Sequence, residues 1–523
     1  MSLSDFFHLA AEHNSNTVRS PRISKESRHE LVRSAFRLNA ENLGRRVVSG
    51  ASFTFLGIAL RTFITLGSTA ILARLLTPAD FGHVAMAAVV TEFTGLFGGF
   101  GFANLLIQRK TITRLQMDTV FWASVIIGLI LTGVVFILAP LASWVFANET
   151  TGALLRLLCF SFLLNSLTVV HEATLSRLMR FRTEFWILIT VIGVRSSVAI
   201  VFAYLGFGVW SLVIGPLFGA AASIALYYSA IPYLPRFRFH PAYLKATWKV
   251  SGSYFGSNIL YYLNMNVDLL LIGRSLGATP LGYYQNARSL TDEIRGRIAM
   301  PLQRVLFPAF SALQNDQKRL QTSVMRAGRL LAAIIIPVGV GLSAIAQDLV
   351  PVLYGPQWLA MIPLLSMFGI SGAIRGATAI SSSLFNAMNQ VPLAFKYNTI
   401  GTLLTASAII VTLPYGIEAV TLAVMLSNLY ALVTFRIGLG LIGLHTRHML
   451  DILGYPTLAA TGMWIAVILI RTWTKEWIND AIILLLLHIF LGATFYISAL
   501  LITSINYYKD VIIFIKSQTQ LRK

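Results

Sequence analysis

The feature that most constrains this chain is a series of long apolar runs separated by short polar gaps. Each run has about 20 residues, enough for a helix to cross the hydrocarbon core of a bilayer. A transmembrane barrel would instead show segments of about ten residues with alternating polarity. We predict about fourteen spans, at residues 47–73, 81–107, 118–139, 153–175, 185–205, 208–230, 247–273, 281–310, 322–346, 358–388, 393–413, 416–438, 450–470 and 478–503.

The composition agrees with a polytopic membrane protein. The 523 residues are 56% hydrophobic and 12% charged, whereas a soluble domain has about 25% charged residues. The net charge of +20 would suggest a nucleic-acid partner in a soluble protein, but here the basic residues lie mainly in the gaps between spans. We therefore expect no nucleic-acid partner. The single cysteine, Cys159, excludes a disulfide framework within the chain and a Cys-based metal site.

The distribution of Lys and Arg predicts the orientation. Gaps such as "QRKTITR", "SRLMRFR" and "DQKRL" are basic, whereas alternating gaps such as "AYLGFG" and "LPYGIE" contain no Lys or Arg. Basic loops stay on the cytoplasmic side, so both termini are predicted to be cytoplasmic. This orientation fits a bacterial inner (plasma) membrane or an equivalent energised membrane. Residues 1–46 are polar and basic and do not resemble a signal peptide. A basic amphipathic helix on the inner leaflet and an unstructured tail both remain open for them.

An internal repeat divides the chain. "LARLLTPADFGHV" after the first span resembles "LIGRSLGATPLGYY" after the seventh, pairing Arg74 with Arg274 and Gly82 with Gly282 at a shift of 200. Later similarities follow at a shift near 208. Parallel repeats imply two lobes that rock about a site between them, near the middle of the membrane. We predict a basic N-terminal segment 1–46, an N-lobe 47–230, a cytoplasmic linker 231–246, a C-lobe 247–438, and residues 439–523 with two further helices and a cytoplasmic tail.

Ionisable residues inside the spans are the candidate site, because a charge is costly there. Arginine is in excess, and its forked donors suit an anionic head group better than a cationic drug. Because Asp268 is an acidic residue inside a span, a cation antiporter stays an alternative function. The predicted residues for cargo binding are Arg61, Arg195, Arg288, Asp292, Arg295 and Arg375, and those for ion coupling are Asp268 and Glu92.

Helical periodicity divides the charges of "SLTDEIRGRIAM" into two faces. Arg288, Asp292 and Arg295 share one face, and Asp292 is predicted to hold the two arginines in place. On the other face, Glu293 and Arg297 are four residues apart, a spacing that favours an ion pair within the helix. For Arg74 and Arg274, at the outer ends of their spans, cargo contact and capping of backbone carbonyls both remain open.

No enzymatic signature is present in the sequence. The chain has no Walker loop, and no His, Asp or Glu cluster has the spacing of metal ligands. We therefore predict no catalytic residues, no metal and no cofactor.

Several motifs resemble the polysaccharide transporter family, which belongs to the multidrug/oligosaccharidyl-lipid/polysaccharide exporter superfamily. They are "ARLLTPADFGHVAMAAVV", "GFGFANLLIQR", "RVLFPAFSALQND" and "LYGPQW". The resemblance implies an all-α polytopic fold with two pseudo-symmetric six-helix lobes plus two C-terminal helices. It also implies flipping of undecaprenyl-diphosphate-linked oligosaccharides for lipopolysaccharide, capsule or exopolysaccharide synthesis. A polysaccharide polymerase and other assembly proteins are open as partners. The alternatives are a cation antiporter of the same superfamily and a membrane polymerase or ligase, although the short outer gaps disfavour the latter.

Overall fold

A computed structural model of the chain describes residues 43–98, 106–107, 109, 111–474, 476–478 and 480–503. Most of the predicted basic N-terminal segment and of the C-terminal tail lies outside the described residues. The helices are α1 (Leu43–Leu75), α2 (Pro78–Gly98), α3 (Arg114–Phe146), α4 (Glu149–Leu158), α5 (Phe160–Ser166), α6 (Val169–Arg177), α7 (Phe181–Tyr204), α8 (Ser211–Ala230), α9 (Pro241–Leu276), α10 (Ala278–Ala312), α11 (Gln317–Leu353), α12 (Met361–Ala377), α13 (Ile380–Ala387), α14 (Val391–Thr412), α15 (Ile417–Ser427), α16 (Tyr430–Gly440), α17 (Thr446–Thr474) and α18 (Ala481–Thr503).

Most of these helices are membrane spans by length and composition. Ten helical segments of the described residues are long and apolar enough to cross a membrane. The segment α4–α6, which bends by 44° before α6, makes an eleventh. The three other predicted spans correspond to α2, α9 and α10, which carry Glu92, Asp268 and the charged residues 288–297. The polytopic all-α fold is confirmed, and the total of fourteen spans stays a prediction.

The backbone repeats as the sequence does. Ala147 and Gly355, 208 positions apart, have φ of 49° and 95° where the chain turns after α3 and after α11. Gly206 and Gly416, 210 positions apart, have φ of 83° and 89° after α7 and α14. The four turns lie on the side that the charge distribution predicts to face outward, which we call the outer side. The matching turns agree with the two repeated lobes that the sequence predicted.

The lobes meet where α2 of the N-lobe packs against α9 and α10 of the C-lobe. The closest approach is at the outer ends of α2 and α10, where Gly82 faces the backbone of Ala278 and Gly282 faces that of Pro78. Deeper in the membrane, the buried hydroxyl of Tyr262 on α9 donates a hydrogen bond to the Val89 carbonyl on α2. One hydrophobic core cluster therefore includes residues of both lobes.

The linker between the lobes is held against the inner end of α3. Tyr233 donates a 2.6 Å hydrogen bond to Asp118, and the indole of Trp122 donates a 2.9 Å bond to the Arg236 carbonyl. Burial, and then donation to the Asp118 carboxylate, raises the pKa of Tyr233 well above its usual range. α9 begins within the predicted linker, at Pro241, a residue that suits the first turn of a helix.

A buried ionic network joins α17 and α18 to the C-lobe. Asp348 on α11 accepts hydrogen bonds from Arg471 at 2.8 and 3.1 Å, and Nδ1 of His488 lies 2.8 Å from the same oxygen. All three side chains are buried. Sequence reasoning missed this network, since its members lie on three helices that are distant in the chain.

Removal of Asp348 should destabilise this part of the molecule. In Asp348→Ala the buried guanidinium of Arg471 loses its counter-charge, a change that costs roughly 3–5 kcal/mol. We expect a clearly lower midpoint of thermal unfolding in detergent. Glu476→Ala, which removes an exposed carboxylate between α17 and α18, is the matched control and should leave the midpoint unchanged. Equal midpoints for the two variants would show that the network does not stabilise the fold.

Candidate substrate site

The centre of the site is an ion pair between the neighbouring helices α9 and α10. Arg288 Nη1 donates to both carboxylate oxygens of Asp268, at 2.8 and 2.7 Å, and Nη2 donates to the Met265 carbonyl. The hydroxyl of Tyr284 donates a 2.7 Å hydrogen bond to the same carboxylate. Asp268 and Tyr284 are buried. The Asp268 carboxylate is therefore neutralised within the C-lobe.

Both predicted faces of α10 form their ion pairs. Asp292 lies 3.5 Å from Arg288 Nε and 2.9 Å from Arg295 Nη2, so it does hold the two arginines together. On the second face, Glu293 pairs with Arg297, which also donates a 3.0 Å hydrogen bond to the Ile58 carbonyl on α1. The second pair is thus a neutralised contact between α10 and a helix of the other lobe.

Arg375 on α12 completes the positive side of the site. Its guanidinium is close enough to Asp292 to attract it and close enough to Arg295 to repel it. Among the described residues, however, no hydrogen bond or ion pair involves the Arg375 side chain. Of the predicted arginines in this cluster, Arg375 alone keeps its donors free within the described part of the chain.

Two polar cavities lie on either side of Arg288, which lines both. One, of about 300 Å³, lies at the lobe interface between α2, α9 and α10, and Glu92 and Ser289 face it. The other, of about 210 Å³, lies within the C-lobe between α9, α12 and α14–α16. The second cavity is lined by Asp268, Arg375 and the uncharged polar residues Tyr397, Asn398, Thr402, Thr405, Ser427, Asn428, Tyr430 and Thr434.

Arg61 and Arg195 form a separate positive feature of the N-lobe. They lie on α1 and α7, are close enough to repel one another, and line neither of the two cavities. No hydrogen bond or ion pair of either side chain occurs in the part of the chain that the structure describes. Sequence reasoning placed them in one cavity with Arg288, and the structure groups them instead on a different pair of helices.

An apolar groove of about 650 Å³ lies on the far flank of α12. Ile374 and Ala377 of α12 form one wall, and α17 forms the other from Met449 to Trp464. Arg375 lies between these two apolar residues in sequence but points to the polar cavity instead. One helix therefore separates a polar compartment from an apolar one.

The pairing of Asp268 with Arg288 was not predicted, although the sequence carries a signal for it. Asp268 lies nine residues before Gly277 and Arg288 eleven residues after it, and α9 and α10 form a hairpin that turns at this glycine. Residues nearly equidistant from such a turn lie side by side. Within the described residues, no group of three or more His, Cys, Asp or Glu side chains is arranged to hold a metal ion.

The fold and the site define a multi-pass helical membrane protein with two repeated lobes and a charged polar site where the lobes meet. A family model described as "Polysaccharide biosynthesis protein" matches residues 71–363, more than half of the chain. The chain therefore belongs to this polysaccharide biosynthesis family, in agreement with its motifs.

Named relatives and solved structures agree with this family. The chain is 26% identical to the lipopolysaccharide biosynthesis protein WzxC of Escherichia coli (strain K12), over 71% of this chain and 76% of WzxC. It is 28% identical to the succinoglycan biosynthesis transport protein ExoT of Rhizobium meliloti (strain 1021), over 65% of this chain and 69% of ExoT. The lipid II flippase MurJ, in an inward closed conformation, matches with a TM-score of 0.69 and 17% identity, over 89% of this chain and 100% of MurJ. This likeness shows a shared fold.

Proposed function

We propose that this protein is a flippase for undecaprenyl-diphosphate-linked oligosaccharide repeats, acting in the bacterial inner membrane with both termini in the cytoplasm. The observation that carries the proposal is the arginine cluster on α10 and α12, in which the Arg375 guanidinium has no partner among the described residues. The names of WzxC and ExoT, which refer to lipopolysaccharide and succinoglycan biosynthesis, support a polysaccharide precursor as cargo. ExoT is also named a transport protein, which favours transport over a polymerase or ligase.

The charge balance of the cluster supports an anionic cargo. Arg288, Arg295 and Arg375 face two carboxylates, Asp268 and Asp292, so one positive charge is in excess. A diphosphate accepts forked hydrogen bonds from a guanidinium, and in a water-poor cavity this interaction is strong. Because both oxygens of Asp268 already accept hydrogen bonds, a cationic drug would have to displace Arg288 to reach them. This arrangement disfavours a drug antiporter.

The two compartments flanking α12 suit the two parts of the cargo. The polar C-lobe cavity offers hydroxyl and amide groups that can hydrogen-bond a sugar next to the diphosphate. The apolar groove beside α17 offers a surface for part of the undecaprenyl tail. In this arrangement Arg375 lies at the junction between sugar and lipid. The remaining tail would stay in the bilayer.

Two sources can drive the outward step. An interior-negative potential favours outward movement of an anion by about 2.3 kcal/mol per charge for each 100 mV. Glu92 is the better candidate for a coupling H⁺ or Na⁺, since it lines the cavity at the lobe interface and has no ion pair in the described residues, whereas Asp268 is paired. The arginines would then bind the cargo, and Glu92 would bind the coupling ion.

The proposal is tested by reconstituting the protein in vesicles and measuring translocation of a labelled lipid-linked oligosaccharide. We expect Arg375→Ala to reduce the rate about tenfold, because losing a forked contact to a phosphate costs more than about 1 kcal/mol. The rate of Arg375→Lys should lie between those of the parent and of the alanine variant, since an ammonium keeps the positive charge but cannot form the forked hydrogen bonds. Arg319→Ala, at a side chain that is 79% exposed, is the control and should transport at the parent rate. An unchanged rate in Arg375→Ala would refute the arginine site.

A further inference from the structure

The outer turn that contains the motif "LYGPQW" contacts the opposite lobe, and nothing in the proposed cargo site accounts for it. α1 ends at Leu75, and the last carbonyls of a helix have no partner within the helix. Gln357 Nε2 donates to the carbonyls of Ala73 at 2.6 Å and Leu76 at 3.3 Å, and the indole of Trp358 donates a second bond to Ala73 at 2.8 Å. The C-lobe therefore caps the end of an N-lobe helix.

Trp358 is also the centre of an aromatic contact across the lobe interface. Its side chain is fully buried, and its ring packs edge-on against Phe81 of α2 at 5.2 Å and Tyr283 of α10 at 5.8 Å. Gly355 makes this position possible. Its φ of 95° is readily accessible only to glycine, and it turns the chain from α11 back towards α1.

A second set of contacts is symmetric between the lobes. Arg74 at the end of α1 donates to the Val352 carbonyl at the end of α11, and Arg274 at the end of α9 donates to the Trp144 carbonyl at the end of α3, at 3.4 Å. These arginines thus cap carbonyls of the other lobe, one of the two roles left open by the sequence. Within the described residues, the cap made by Gln357 and Trp358 has no such counterpart, and Glu149, at the position equivalent to Gln357, has a carboxylate that cannot donate.

We infer that Gln357 and Trp358 form the latch of an outer gate, which closes the cavity at the lobe interface from the outer side and must open in each transport cycle. Opening exposes the end carbonyls of α1 to water, so the latch lowers the population of the outward-open state without blocking it. The symmetric arginine contacts alone would allow either lobe to move first. The one-sided latch makes separation of the C-lobe turn from α1 the step that opens the gate. This inference does not depend on the identity of the cargo.

A cysteine reporter in the interface cavity tests the gate. Ser289→Cys is introduced into a Cys159→Ser background, and a membrane-impermeant maleimide is added to intact cells, so that labelling reports outer access. The parent reporter should label slowly. Trp358→Phe keeps a ring but removes the N–H, and Gln357→Glu removes the donor; each should raise the labelling rate about fivefold, the effect of one net hydrogen bond.

The matched control is Trp473→Phe, the same change at an indole that is 77% exposed at the outer end of α17, and it should leave the rate unchanged. Labelling in detergent checks that every variant is folded and equally reactive. If Trp358→Phe lowers the amount of folded protein, Gln357→Glu still decides the outcome. Rapid labelling of the parent, or equal rates in the parent and both latch variants, would overturn the gate.

Discussion

Gly82→Ala should abolish most transport while the protein still inserts in the membrane. A Cβ atom at Gly82 would lie 1.8 Å from the carbonyl oxygen of Ala278, and one at Gly282 would lie 1.9 Å from that of Pro78. Both obstacles are backbone atoms, so neither can rotate away and the outer ends of α2 and α10 must separate. Overpacking of this kind typically costs about 1–3 kcal/mol. Here it would weaken the contact that brings the two lobes together.

The measurement is translocation of a lipid-linked oligosaccharide in vesicles, with the amount of inserted protein determined in parallel. Gly282→Ala should reproduce the loss, because the two glycines are related by the repeat. Gly67→Ala is the matched control on α1, where an added Cβ meets nothing within 4 Å. It should retain full activity. If Gly82→Ala and Gly67→Ala transported equally well, the close helix crossing would have no part in transport.

Features that depend on local pattern were predictable from the sequence. The apolar runs predicted the spans, and the shift of 200 between Gly82 and Gly282 predicted the two lobes. The structure adds that each of these two glycines packs against the backbone of the other lobe. The bridging role of Asp292 was also predictable, since Arg288, Asp292 and Arg295 lie on one helix, where the period of 3.6 residues fixes their relative directions.

Features that depend on contacts between distant helices were not predictable. The partner of Asp268 was missed because hydrophobic periodicity gives the direction of a side chain but not the neighbouring helix it meets. Trp358 is the same case, since its hydrogen-bond acceptor on Ala73 lies 285 positions away. Arg61 and Arg375 look alike in the sequence, as isolated arginines in apolar spans, and only the fold places them on different helix pairs.

The pair of Asp268 and Arg288 should show a large coupling energy. Asp268→Asn leaves a largely buried guanidinium with only Asp292, at 3.5 Å, as its counter-charge, and Arg288→Met leaves a buried carboxylate without its ion-pair partner. Loss of one partner of a buried pair costs roughly 3–5 kcal/mol, whereas removing both charges together is often nearly neutral. We therefore expect both single variants to unfold at clearly lower temperature, and Asp268→Asn/Arg288→Met to recover most of the stability.

Transport by the recovered double variant separates a structural from a functional role of the pair. If Arg288 contributes positive charge to the cargo site, the double variant should be folded yet transport poorly. The matched control is the exposed pair Asp316 and Arg319, 3.3 Å apart, whose Asp316→Asn/Arg319→Met cycle should give less than about 1 kcal/mol. A coupling energy for Asp268 and Arg288 no larger than this control would contradict the buried pair. Parent-like transport by the double variant would instead remove Arg288 from the cargo site, and Arg375 would then be the main cationic contact in the C-lobe.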